Sequence, residues 1–176
     1  MRYYKYLRPP YFYQMELFDL KKLEKIHDAL VRKNETLTVA ESVTAGLLQT
    51  AVSQAEFASE FYQGGITTYN LGQKYRHLKV EPIHAEQTNS VSPKVTAEMA
   101  LSVCELFQSD WGIGITGYAT PVKESDNKVF AYYAIAYKNK IVAKGKLSPK
   151  IIEPFDLQVH YVRSVLDALV KIIQGK

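Results

Sequence analysis

LTVAESVTAGLL, residues 37 to 48, decides the reading of this chain. An apolar, β-branched run stops at a small polar cluster, and an amphipathic pattern starts directly after it. That order predicts a buried strand over Leu37 to Ala40, a tight turn, and a helix over Thr44 to Gln54. The turn holds Glu41, Ser42 and Thr44, followed by Ala45 and Gly46. Hydroxyls and backbone N–H groups there meet the positive end of a helix dipole, which favours anions and oxyanions. A plain N-cap role for Ser42 or Thr44 is the competing reading.

Outward from this stretch the periodicities alternate. Asp19 caps a predicted surface helix to Lys33, with Leu20, Leu23, Ile26, Leu30 and Val31 at helical spacing. His27 on it reads as solvated, without a second ligand at metal spacing. Phe61 to Thr68 reads as a strand, its Gly64-Gly65 pair suggesting a bulge or a close backbone approach. Asn70 caps a short helix, Leu71 to Leu78, on which Lys74 either turns back toward the Ser42 turn or stands in solvent as an ordinary surface lysine.

Pro82 to Asn89 reads as a loop with a solvated His84. Ser92 and Pro93 open a helix to about Phe107 that buries Met99 and Cys104. Trp111 to Thr116 alternates glycine with isoleucine, as a central strand does when a helix crosses it closely. Thr116 and Gly117 are then expected to open a polar loop at the carboxyl end of that strand, where open α/β sheets bind ligands. Lys128 to Lys138 and Lys140 to Leu147 read as a hairpin whose Tyr132, Tyr133 and Tyr137 fit sheet packing better than a ligand wall. A helix from about Asp156 to Ile173 closes the pattern. The order α-β-α-β-α-α-β-β-β-α implies an α/β fold, a three-layer α/β/α sandwich with a mixed β-sheet.

A chain of 176 residues, 47% hydrophobic and 23% charged, suits one globular domain. We place it at 19–176, preceded by a tyrosine-dense arm over 1–18 with a Pro9-Pro10 break, packed on the domain or on a neighbouring subunit. A single cysteine rules out an internal disulfide and fits a reducing cytoplasm. The net charge of +4 is spread along the chain and interleaved with acids, which argues against a nucleic-acid partner. No apolar run approaches a membrane span and no signal-peptide core opens the sequence, so no membrane association is expected. No His/Asp/Glu spacing implies a metal, and no cofactor is expected.

Four ordered motifs carry a resemblance to a known family. TVAESVTAGLL resembles T-A-E-S-C-T-G-G-L of the CinA C-terminal family; GGITTYNLGQKYRHLKV, from Gly64 to Val80, resembles its G-G-x-x-x-Y-x-x-x-x-K-x-x-x-L-x-V. NSVSPKVTAEMA, from Asn89 to Ala100, and WGIGITGYATP, from Trp111 to Pro121, are similar to its next two motifs. Val43, Ala45 and Thr120 stand where the family pattern has Cys, Gly and Gly, and Val122 to Val129 replaces a Gly-rich loop. Leu157-Gln158-Val159 stands where G-D-R is usual, while the Arg that follows survives as Arg163.

The resemblance implies a homo-oligomer that deamidates a small-molecule nucleotide, nicotinamide mononucleotide, to nicotinate mononucleotide and ammonia. A serine hydroxyl needs a base, and a lysine can be one only when desolvation or positive charge lowers its pKa. On the matched positions, Ser42 would attack the amide carbon, Lys74 would take and return the proton, and Tyr69 would relay or orient it. Backbone N–H groups from Thr44 to Gly46 would bind the oxyanion. Glu41, Thr44, Ala45, Gly46, Asn70, Thr116, Gly117 and Arg163 would hold the substrate, Thr44, Thr116 and Gly117 its phosphate. The substituted loops support a second reading, a non-catalytic CinA-like protein that binds a nucleotide or acts as an interaction module; an unrelated amidase or esterase is a third.

Overall fold

The computed structural model describes residues 17–150 and 153–175. Its five strands are β1 (Leu37–Glu41), β2 (Tyr62–Thr67), β3 (Trp111–Tyr118), β4 (Phe130–Tyr137) and β5 (Lys140–Leu147). They lie side by side in the order β2-β1-β3-β4-β5. β2, β1 and β3 run parallel, while β4 and β5 return antiparallel, so the sheet is mixed.

Helices cover both faces, as a sheet buried on two sides requires. The helices are α1 (Leu20–Val31), α2 (Leu47–Ser53), α3 (Leu71–Leu78), α4 (Pro82–Gln87), α5 (Pro93–Phe107) and α6 (Pro154–Gln174). On one face Leu23, Leu30, Leu48, Tyr161, Val165 and Leu169 from α1, α2 and α6 pack with Val39, Ile113 and Ile115 of the sheet. On the other, Val95, Met99 and Val103 of α5 pack with Leu78, Ala85 and Ala40. Phe18 belongs to the first core, so packing begins within the segment read from sequence as an arm; the rest of that arm, 1–16, lies outside the described residues.

The glycine alternation in β3 is set by α5. A Cβ on Gly114 would lie 2.4 Å from the Thr96 carbonyl oxygen and 2.8 Å from the Ala100 nitrogen; one on Gly112 would meet the Ala100 oxygen at 2.4 Å. The isoleucines between them fill the opposite core.

Three expectations are corrected. Residues 82–87 form a helix, not a loop, because the Glu81 carboxylate accepts from the Ile83 and His84 N–H groups and Pro82 takes the first position. His84 is not simply solvated: its Nε2 lies 2.9 Å from Ser92 Oγ, while His27 sits 3.0 Å from Asp28 and 3.3 Å from Glu60. Those carboxylates, the Asp28 hydrogen bond foremost, raise the His27 pKa. Finally, α2 starts at Leu47, because Ala45 and Gly46 hold positive φ angles of 50° and 103° and keep residues 42–46 as a turn.

The topology fixes where a ligand can bind. From β1 the chain leaves by α2 on one face to reach β2, then returns over the other face by α3, α4 and α5 to β3. The carboxyl ends of β1 and β3 therefore flank a topological switch point, the crevice that open α/β sheets use.

Candidate active site

Ser42 is the first residue beyond β1, at that crevice, and is nearly buried. Its turn is held by Glu41, a fully buried carboxylate. Glu41 Oε2 accepts from Thr44 Oγ1 at 2.5 Å, Gly46 N at 3.2 Å and Leu48 N at 3.0 Å, and Oε1 accepts from Gln49 N at 2.8 Å. The chain's own carboxylate thus fills the anion seat at the start of α2.

The family resemblance implies that Glu41, Thr44, Ala45 and Gly46 hold substrate. None of them lines the cleft; they build the turn. The Ala45 N–H donates to the Ser42 carbonyl at 3.2 Å and the Gly46 N–H to Glu41, so neither is open to an oxyanion. Among the described residues, the N–H groups of Val43 and Thr44 carry no hydrogen bond.

Lys74 is brought to Ser42 by α3, whose first turn is fixed by Asn70 Oδ1 accepting from Gln73 N at 3.0 Å. Only 1% of Lys74 is exposed. Its Nζ lies 2.9 Å from Ser42 Oγ and 2.8 Å from the Thr68 carbonyl oxygen. That carbonyl is itself placed by the Thr68 N–H, which donates to the Glu41 carbonyl at 2.8 Å. No carboxylate forms an ion pair with Lys74 among the described residues, and burial lowers its pKa to about 8. Charged, the amine donates to both oxygens; once deprotonated it can keep one hydrogen on the Thr68 carbonyl and turn its lone pair to the Ser42 hydroxyl.

The pair opens into a cleft of about 750 Å³. Tyr69, Asn70 and Leu71 form one part of its wall, Thr116 to Thr120 another, and Pro154 and Gln158 of α6 a third. Tyr69 stands on the rim, 74% exposed, and among the described residues makes no hydrogen bond to Ser42 or Lys74. Thr116 lines the cleft with its hydroxyl already donated to the Ser90 carbonyl at 3.0 Å. Gly117 lies within β3, not in a loop, because β4 pairs with β3 out to Tyr118; a Cβ there would meet the Phe130 oxygen at 2.3 Å.

Arg163 is not part of the cleft wall; its Nε donates to the Leu17 carbonyl at 2.8 Å. Gln158 takes the cleft position on α6, and its Nε2 donates to the Val43 carbonyl at 2.8 Å, tying α6 to the Ser42 turn. Its position within Leu157-Gln158-Val159 was the available signal. Ser90, Glu86 and Glu124 also line the cleft and were not singled out from sequence. Tyr137 packs on Trp111 with ring centroids 4.3 Å apart, away from the cleft, as sheet packing predicts.

No described helix is long and apolar enough to cross a membrane. The family model of the CinA C-terminal domain matches residues 20–169. A CinA-like protein of Picosynechococcus sp. is 38% identical over 112 residues, 64% of this chain and 27% of that protein. A CinA-like protein of Rippkaea orientalis is 38% identical over 103 residues, covering 58% of this chain and 25% of its own length. The chain thus spans about a quarter of the curated relatives it matches. Among solved structures, a CinA superfamily protein of Escherichia coli superposes with a TM-score of 0.81 at 28% identity, over 87% of this chain and 89% of that one. One of Enterobacter cloacae gives 0.82 at 27% identity, over 88% and 91%.

Proposed function

This chain belongs to the CinA C-terminal domain family, and from that premise we propose that it is a serine–lysine amidohydrolase that converts a pyridinium carboxamide of the nicotinamide mononucleotide type to the carboxylate and ammonia. The observation that carries the reading is the 2.9 Å contact between a buried lysine amine and the hydroxyl of Ser42.

In the proposed cycle Ser42 Oγ attacks the amide carbon as its proton passes to Lys74 Nζ. The oxyanion takes the N–H group of Val43, the open backbone donor of this turn that lines the cleft. Collapse breaks the C–N bond, Lys74 returns the proton to the leaving amine, and ammonia departs. Water then attacks the Ser42 ester with Lys74 again as base, and the carboxylate leaves. Tyr69 acts from the rim, covering the bound ring rather than relaying the proton in the unliganded geometry.

Release of ammonia and nicotinate mononucleotide from nicotinamide mononucleotide by the purified chain tests the activity. Ser42-dependent release supports it. A folded chain that binds pyridine nucleotides without releasing ammonia would instead be a non-catalytic binding module.

A further inference from the structure

We propose that Ser90 is a further catalytic residue of this cleft, its hydroxyl donating to the oxyanion together with the Val43 N–H. The inference rests on the Ser42–Lys74 reading for the nucleophile and on separate residues for the donor. A tetrahedral oxyanion is best held by converging donors, and the Ser42 turn supplies one that lines the cleft, the Val43 N–H. The Ala45 and Gly46 N–H groups are bonded within the turn. A second donor has to come from elsewhere in the wall.

The buried polar side chains of the wall are Ser42, Lys74, Ser90 and Thr116. Lys74 is bonded to Ser42 and Thr68, and the Thr116 hydroxyl donates to the Ser90 carbonyl at 3.0 Å. Ser90 is 6% exposed, and its hydroxyl has no partner among the described residues. Buried hydroxyls elsewhere, such as those of Thr38, Thr96 and Ser125, donate to carbonyls. The Thr68 hydroxyl is also unpartnered, but it is sealed off, whereas the Ser90 hydroxyl is not sealed and reaches the cleft.

Its placement follows from the sheet. Glu41 pairs with Ile115 across β1 and β3, so Thr116 comes level with Ser42 where β1 ends. The Thr116 hydrogen bond seats the Ser90 backbone beside that pair, and the Ser90 N–H donates to the Ala85 carbonyl of α4. Asn89 and Ser90 hold φ angles of 47° and 59°, the left-handed region that L-residues disfavour. These hydrogen bonds hold a strained serine against the reacting centre, as catalytic walls do.

The test is the rate at which para-nitrophenyl acetate acylates Ser42 in the full chain, followed by mass spectrometry as a function of pH. This ester needs the same attack and the same oxyanion donors but no nucleotide contact. Ser90→Ala and Ser90→Gly should each acylate at least about tenfold more slowly, with the apparent pKa of the profile unchanged because Lys74 is untouched. Ser90→Gly relieves the left-handed backbone, so it should show that loss with a urea midpoint no lower than wild type. In nicotinamide mononucleotide hydrolysis the loss should fall on kcat rather than KM. Wild-type acylation rates in either variant overturn the assignment, as does a loss accompanied in both by a shifted pKa and a lowered midpoint, the mark of a structural role. Undiminished acylation without the Ser90 hydroxyl defeats this donor while sparing the Ser42–Lys74 chemistry; a folded wild type in which Ser42 is not acylated defeats both.

Discussion

The amine of Lys74 lies 2.9 Å from the hydroxyl of Ser42, although 32 residues separate them in the chain. The contact exists because α3 starts just past β2 and Thr68 ties the ends of β1 and β2 together. Burial lowers the Lys74 pKa from 10.5 to about 8, so between those values the unfolded chain binds the extra proton and stability rises with pH. Against Lys74→Met, the wild type should therefore gain about 1 kcal/mol from pH 7 to 9. Urea unfolding of both proteins at each pH measures it; a pH-independent difference would refute the burial account.

Glu41 holds four donors at once, so its removal strands three backbone N–H groups at the start of α2. Glu41→Ala should cost at least about 3 kcal/mol in chemical denaturation. It should also reduce turnover in the fraction that folds, since the Ser42 turn loses its anchor. Full stability in this variant would mean that the turn is held by something else.

Gly114→Ala places a methyl group against the backbone of α5, with Thr96 O at 2.4 Å. Backbone cannot rotate away as a side chain can, so a loss of about 2 kcal/mol or more is expected, seen as a lowered urea midpoint. A neutral outcome would show that α5 can lift from the sheet.

Glu35 anchors the opposite end of the sheet, accepting from Trp111 Nε1 at 2.8 Å and Tyr137 Oη at 2.6 Å. Burial pushes its pKa up, but the hydrogen bonds from Tyr137, Trp111 and Lys138 outweigh this and leave it below the ordinary carboxylate value. Its contribution is thus present above the unfolded value of 4.5 and is lost as pH falls through the lower folded one. The stability difference between wild type and Glu35→Gln should shrink below about pH 4.5. Paired urea titrations at pH 6 and pH 3 check it.

The layers and strands were legible because each element carries its own period, and Asn70, Ser92 and Asp19 cap as their side chains predict. The short helix α4 was less so, since six residues are too few to show an apolar period, although Glu81-Pro82 is the same kind of start signal as Ser92-Pro93. The sequence predicts an anion-favouring helix N-terminus just after Glu41, yet a local pattern cannot say whether the anion seated there is a ligand or the Glu41 carboxylate itself. Arg163 lies outside the cleft wall for a geometric reason. It follows Gln158 by five residues, about 140° around a helix at roughly 100° per residue, so the two face different neighbours. The burial of Lys74 depends on the meeting of β1, β2 and α3, which no single stretch encodes.

The most direct test of the Ser42–Lys74 pair is the rate of covalent labelling by a small sulfonyl fluoride, followed by mass spectrometry as a function of pH. Labelling should fall on Ser42, rise through an apparent pKa near the value of about 8 set for Lys74 by burial, and drop at least about 100-fold in Lys74→Met. Ser42 left unlabelled in the folded wild type, or labelled equally fast without Lys74, would contradict the account.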